Sequence, residues 1–432
     1  MAIGTSVSTT TQQYGTQKTD VRAMSIATML FFMWGFLTCL NDILIPHLKG
    51  IFDLNYAQAM LVQFCFFSSY FIFALPSGKL VEWVGYKQAM VVGLLVMAAG
   101  AFLFLPASTA ASFGLFLSAL IILAAGITCL QVAANPYVTV LGKPETASSR
   151  LNLTQAFNSL GTFLAPFFGG LFILSAAPKA IEEIRAMAPD VLQAYRLHEA
   201  ATVKTPYVGL GIALVVLAIA IGSFKLPTIE HAQHKVGEKV NDSIWKHPNL
   251  IFGAIGIFVY VGAEVSIGSF LVNYFSQPNI GNMTEKAAAL YVAFYWGGAM
   301  IGRFCGAGIT QKLRAGPVLG VAAVVACCLV ITSMTTFGHV AMWSIILVGL
   351  FNSIMWPNIF ALGLAELGRL TNLGSSLLVM GVLGAALIPL LQGFVADKIG
   401  IHHAFFLPAL CYVYICYYGF KGSKVRHAEA TA

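Results

Sequence analysis

Two acidic side chains stand where acids are costly. Asp42 lies in Leu40-Asn41-Asp42-Ile43-Leu44-Ile45-Pro46 and Glu264 in Tyr260-Val261-Gly262-Ala263-Glu264-Val265-Ser266, each inside a long apolar run. A charge at mid-membrane costs roughly 2.5–3.5 kcal/mol on insertion scales, so such residues face a cavity and mark a pathway. A carboxyl group there can bind and release a proton, or offer hard oxygen ligands to Na+. Either chemistry couples an ion gradient to a second movement. The competing role for each acid is a hydrogen bond that ties helices together.

Amides form the second signal. Asn41, Gln63, Gln131, Asn135, Gln155, Asn158, Asn352 and Asn358 all fall in apolar runs. Gln155 and Asn158 are three residues apart and share a helix face. A sugar is a ring of hydroxyls, each donor and acceptor. Amides match both roles, and aromatic faces stack on the C–H side of the ring. Tyr260, Trp296 and Trp356 are the candidate stacking partners. Any one amide serves equally well as a bond between helices. Candidate solute contacts are therefore Asn41, Gln131, Asn135, Gln155, Asn158, Tyr260, Asn352 and Trp356, with Asp42 and Glu264 as candidate ion-coupling residues.

The elements that must position these residues follow from composition. Of 432 residues, 58% are hydrophobic and 9% charged, against about 25% charged in a soluble domain. No soluble domain covers its surface with so few charges. A bilayer core of about 30 Å takes roughly 20 apolar residues per helix. Runs of that kind occur near 24–46, 57–78, 86–106, 111–140, 148–176, 205–225, 248–275, 286–312, 316–337, 339–367, 373–396 and 401–420. They predict an all-α membrane protein with twelve transmembrane helices. With the N-terminus inside, 17 of the 24 Lys and Arg fall on the cytoplasmic side and 7 outside. That asymmetry puts both termini in the cytoplasm, and the protein is expected in a bacterial inner membrane. Residues 1–23 and 421–432 read as cytoplasmic tails. Residues 227–247 read as a cytoplasmic linker between bundles 24–226 and 248–420, the layout of transporters built from two pseudo-symmetric halves. Pro46, Pro76, Pro136, Pro166, Pro357 and Pro389 fall within or at the ends of helices, where they bend or loosen them.

Several function classes are excluded or disfavoured. No phosphate-cradling Gly-Lys-Ser/Thr loop, His-Glu-x-x-His or Gly-x-Ser-x-Gly motif is present, which argues against an ATPase or an intramembrane enzyme. The eight cysteines lie in apolar runs without metal-ligand spacing, and His231 and His234 sit in the charged linker; both sets read as structural or solvated, with no metal and no cofactor beyond a coupling H+ or Na+. The net charge of +7 is spread over short loops and is a topology signal, not a nucleic-acid surface.

The loop Gly78-Lys79-Leu80-Val81-Glu82-Trp83-Val84-Gly85-Tyr86-Lys87 resembles the cytoplasmic signature of the major facilitator superfamily. The resemblance implies a conformational latch built from Gly78, Glu82, Gly85 and Lys87, with Arg303 at the inner end of the eighth helix. Gly393-Phe394-Val395-Ala396-Asp397-Lys398-Ile399-Gly400 repeats the pattern on the outer side and reads as structural. Leu40-Asn41-Asp42, Ala133-Ala134-Asn135-Pro136-Tyr137, Arg150 to Gly161, and Gly374-Ser375-Ser376 together resemble the fucose–galactose–glucose group of that superfamily over nearly the whole chain. This implies two six-helix bundles, alternating access and import of a monosaccharide by cation symport; a monomer is expected, because each chain has both halves. In the fucose–proton symporters a coupling Glu precedes Ala-Asn-Pro; here Gln131 stands there. Glu264 occupies a place that those symporters tend to keep neutral. The pattern looks more like the glucose/galactose or N-acetylglucosamine branch than fucose itself. The competing readings are an exporter of drugs or metabolites on the same fold and a non-transporting sugar sensor, which normally needs a longer tail.

Overall fold

The computed structural model describes residues 19–52, 56–110, 112–172, 187–224, 227 and 243–425. The first half holds α1 (Val21–Phe52), α2 (Tyr56–Thr109), α3 (Phe113–Val140), α4 (Ala147–Phe172) and α5 (Pro189–Ser223). The second holds α6 (Pro248–Phe275), α7 (Glu285–Lys312), α8 (Ala315–Thr335), α9 (Gly338–Asn352), α10 (Met355–Gly363), α11 (Thr371–Met380), α12 (Gly384–Ile399), α13 (Ile401–Ala404) and α14 (Phe406–Tyr417).

These helices make the twelve expected spans. α2 is continuous over 54 residues but turns at Gly85, whose φ of 78° divides it into two spans. A side chain is strained at that φ, and glycine is not. Gly400 adopts nearly the same geometry, φ 83° and ψ 152°, between α12 and α13; the two look-alike motifs make the same turn. α9 and α10 form one span broken at Ser353–Ile354, α11 and α12 one span joined by a 3-10 turn at Gly381–Leu383, and α13 and α14 the last. α5 starts at Pro189, well before the expected 205, so residues 189–204 are a helical extension of that span.

Nine stretches of the described residues are long and apolar enough to cross a membrane, one of them, Phe64–Thr109, being the double span. The two spans that fall short are α4 and α7. Their sequences are interrupted by Arg150, Asn152, Gln155 and Asn158 in one and Arg303 and Gln311 in the other. Both are shielded from lipid on that face, because they pack on each other. Within the first half, α1 packs on α4, and α2 on α3 and α5; within the second, α6 packs on α10, α12 and α14, and α8 on α9 and α14. The halves meet along α4–α7, α2–α11, α3–α11 and α4–α10.

Arg150 fixes the turn between α3 and α4. Its side chain donates to the carbonyls of Val138 (2.9 Å), Thr139 (2.5 Å) and Lys143 (3.0 Å) and to Thr146 Oγ1 (2.7 Å). The Val138 and Thr139 carbonyls are in the last turn of α3, among those that a helix C-terminus leaves without donors. A buried guanidinium with four acceptors is a satisfied structural group.

Candidate functional site

The seam between the halves is built from polar groups on otherwise apolar helices. At the end of the bundle where α4 begins, Ser149 Oγ donates to the Ala307 carbonyl at 2.6 Å. Asn152 Nδ2 donates to Asn358 Oδ1 at 3.0 Å, linking α4 to α10. Ser375 Oγ donates to the Val132 carbonyl at 2.9 Å, linking α11 to α3. Ser376 packs on Gly78, where a Cβ would meet its Oγ. Small residues permit this approach of α2 and α11.

Further along the seam lies an ion pair. Arg303 on α7 sits 3.8 Å from the Glu264 carboxylate on α6, with both side chains 12% exposed. Tyr260 donates to the same carboxylate at 2.8 Å. Arg303 Nε donates to the Ser353 carbonyl at 3.2 Å, and its Nη1 reaches Ser159 Oγ of α4 in the other half. Behind the pair, Tyr295 donates to the Glu264 carbonyl at 3.4 Å, Asn352 Nδ2 to Tyr295 Oη at 2.8 Å, and Tyr412 to Asn352 Oδ1 at 2.7 Å.

The candidate contacts divide into two sets. Asn158 Nδ2 donates to the Phe31 carbonyl at 2.9 Å and holds α4 on α1. Asn352 and Tyr260 are engaged in the network around Glu264. By contrast, Gln155 Nε2, both amide atoms of Asn135, Gln131 Oε1 and Trp356 Nε1 are buried and make no hydrogen bond to the described residues. Gln131 Nε2 alone is held, by Tyr70 Oη at 3.3 Å. A buried polar atom without a partner is costly, so such groups imply a missing partner, solvent or solute. Trp296 is 40% exposed and stacks edge-on to Tyr295. Asn41, Asp42 and Gln63 have side chains outside the described residues. An apolar groove of about 720 Å³ between α1 and α4, lined by Met24, Met29, Phe32, Leu153 and Phe157, suits hydrocarbon and not a sugar.

A family model described as Major Facilitator Superfamily matches residues 24–380. The chain belongs to the major facilitator superfamily. Among curated superfamily relatives, a glucose/galactose transporter of Brucella abortus is 52% identical over 408 residues, 94% of this chain and 96% of the relative. The L-fucose-proton symporter of Escherichia coli is 35% identical, covering 96% of each chain. The crystal structure of the superfamily transporter FucP in the outward conformation superimposes with a TM-score of 0.85 at 34% identity, covering 93% of this chain and 99% of that one.

Within the superfamily's cytoplasmic signature the residues take separate places. Gly78 is a packing position, Gly85 makes the turn, and Lys87 Nζ donates to the Gly222 carbonyl at 2.8 Å, at the end of α5. Glu82 makes no ion pair with the described residues. Arg303 does not join these residues: it lies inside the seam, paired with Glu264. Sequence reasoning missed Ser159, Tyr295 and Tyr412. Ser159 carries a faint signal, one turn from Gln155 on the same helix.

Proposed function

We propose that this superfamily member imports a monosaccharide, of the glucose/galactose, N-acetylglucosamine or fucose class, across a bacterial inner membrane by symport with H+ or Na+. The carrying observation is the set of buried, unpartnered amide and indole atoms: Gln131 Oε1, both amide atoms of Asn135, Gln155 Nε2 and Trp356 Nε1. They supply donors and acceptors to a polyhydroxylated solute on helices that meet at the seam. The names of the Brucella and Escherichia relatives support the same reading. In this account a monomer works by alternating access, bundle 24–226 against bundle 248–420 with the linker 227–247 between them. The tails 1–23 and 421–432 face the cytoplasm by their charge. The closed end of the seam then faces the cytoplasm.

Asp42 and Glu264 are the coupling candidates. Glu264 is already balanced by Arg303, so a cation arriving there must compete with a guanidinium. Asp42 on α1 is therefore the first choice and Glu264 the second. The test is uptake of labelled glucose, galactose, N-acetylglucosamine and fucose into proteoliposomes. Each is driven by an inward pH gradient alone or an inward Na+ gradient alone, with Asp42→Asn and Glu264→Gln in parallel. Accumulation of one sugar under one gradient, lost in Asp42→Asn, is the expected result. Failure to concentrate any of the four under either gradient refutes the proposal.

A further inference from the structure

Pro136 lies inside α3, eight-tenths of the way along a helix that continues to Val140. Proline has no N–H, so the carbonyl one turn earlier, that of Val132, receives no helix hydrogen bond. Val132 is fully buried, and a buried carbonyl needs a donor. The donor comes from the opposite half: Ser375 Oγ, in the second turn of α11, at 2.9 Å. Ser375 is itself fully buried.

The second half contains the counterpart. Pro357 lies in α10 and frees the carbonyl of Ser353. That carbonyl receives Arg303 Nε at 3.2 Å, from a helix of its own half. This bond survives any movement of the halves as rigid bodies, whereas the bond to Val132 does not. Next to Ser375, Ser376 fills the space over Gly78, so the contact closes only when α2, α3 and α11 are fully together.

We propose that Ser375 is a gate residue: its hydroxyl latches the closed seam by serving the carbonyl that Pro136 leaves bare, and the latch breaks each time the halves part at this end. The idea rests on the alternating-access reading but on neither the sugar nor the ion. When the seam opens, water reaches Val132 and replaces the hydroxyl. Ser375 therefore stabilises the closed arrangement alone.

The test uses the full chain with its eight cysteines replaced, in a background that still folds, with spin labels at Glu145 and Lys421. Both positions are exposed and lie one on each half, at the end where α4 and α11 begin. Ser375→Ala is expected to raise the open-to-closed ratio in the distance distribution roughly five- to tenfold, the worth of one net hydrogen bond. Ser375→Thr keeps the hydroxyl and is expected to retain the parental distribution. Pro136→Ala restores an N–H to the helix, so Ser375→Ala made in that background is expected to produce no further shift. An unchanged distribution in Ser375→Ala overturns the proposal. So does a shift of equal size with Pro136→Ala present. If Pro136→Ala does not fold, the contrast between Ser375→Ala and Ser375→Thr decides alone. The readout needs neither solute nor gradient, so it fails or succeeds independently of the uptake assay.

Discussion

Removing both members of the Glu264–Arg303 pair should do less harm than the sum of removing each alone. The two side chains are 12% exposed, too little for solvent to screen them. Arg303→Gln strands a buried carboxylate whose remaining described partner is the Tyr260 hydroxyl at 2.8 Å. Breaking a buried pair from one side costs about 3–5 kcal/mol. Glu264→Gln leaves Arg303 its bonds to Ser353 and Ser159, which places that change at the lower end, about 3 kcal/mol. Glu264→Gln/Arg303→Gln leaves two neutral amides facing each other, and its cost should fall about 2–3 kcal/mol or more short of the sum of the singles. For a unit of 150–250 residues, about the size of either half, 1 kcal/mol moves Tm by roughly 2–4 °C. Thermal unfolding of the detergent-solubilised protein should therefore drop by about 6 °C or more in each single variant, and the drop in the double should fall short of the sum of the two by about 4 °C or more. A double variant that loses the sum of both single shifts refutes the argument, because the charges would then act independently.

Further expectations follow from the seam. Gln155→Ala should raise KM for the transported sugar roughly tenfold while leaving Tm near the parental value, whereas Asn158→Ala should lower Tm and affect KM little, since one amide is unpartnered and the other ties α4 to α1; uptake kinetics alongside a melting curve separate them. Arg150→Gln should reduce folded yield and Tm by the loss of several charge-assisted hydrogen bonds at the α3–α4 turn, about 3 kcal/mol or more in total, and no sugar or gradient should rescue it. Gly78→Val should cut transport at least about tenfold with yield retained, because its side chain occupies the position of Ser376 Oγ and keeps α2 and α11 apart; parental transport in this variant would mean that the α2–α11 contact is not remade during turnover.

Much of the fold was legible in the sequence because apolar length is a one-dimensional property. The twelve runs mapped to twelve spans, including α4 and α7, whose polar interruptions sit at the seam. What stayed hidden depends on helix rotation and depth. Gln155 and Asn158 share a face by spacing, yet only the position of the Phe31 carbonyl decides that Asn158 is engaged and Gln155 is not. Arg303 followed a glycine near a helix end and resembled a surface latch; its depth in α7 and the neighbouring Glu264 are set by how α6 packs on α7. Pro136 announced a bare carbonyl at Val132, but the donor is 243 residues away in sequence, and no local rule names it. Asp42, the first coupling candidate, lies where the side chains are not described, so its role rests on sequence alone.

The central claim is that a sugar moves with a cation. Its most direct measurement is the steady-state ratio of internal to external labelled sugar in proteoliposomes held at a set inside-negative K+ diffusion potential, with the coupling ion at equal concentration on both sides. One positive charge moved inward gains about 2.3 kcal/mol per 100 mV, which is roughly a 50-fold accumulation at one charge per sugar. The account predicts a ratio that climbs with potential toward that value and collapses to one when the potential is dissipated. A ratio that stays at one at every potential, with the ion present, contradicts it.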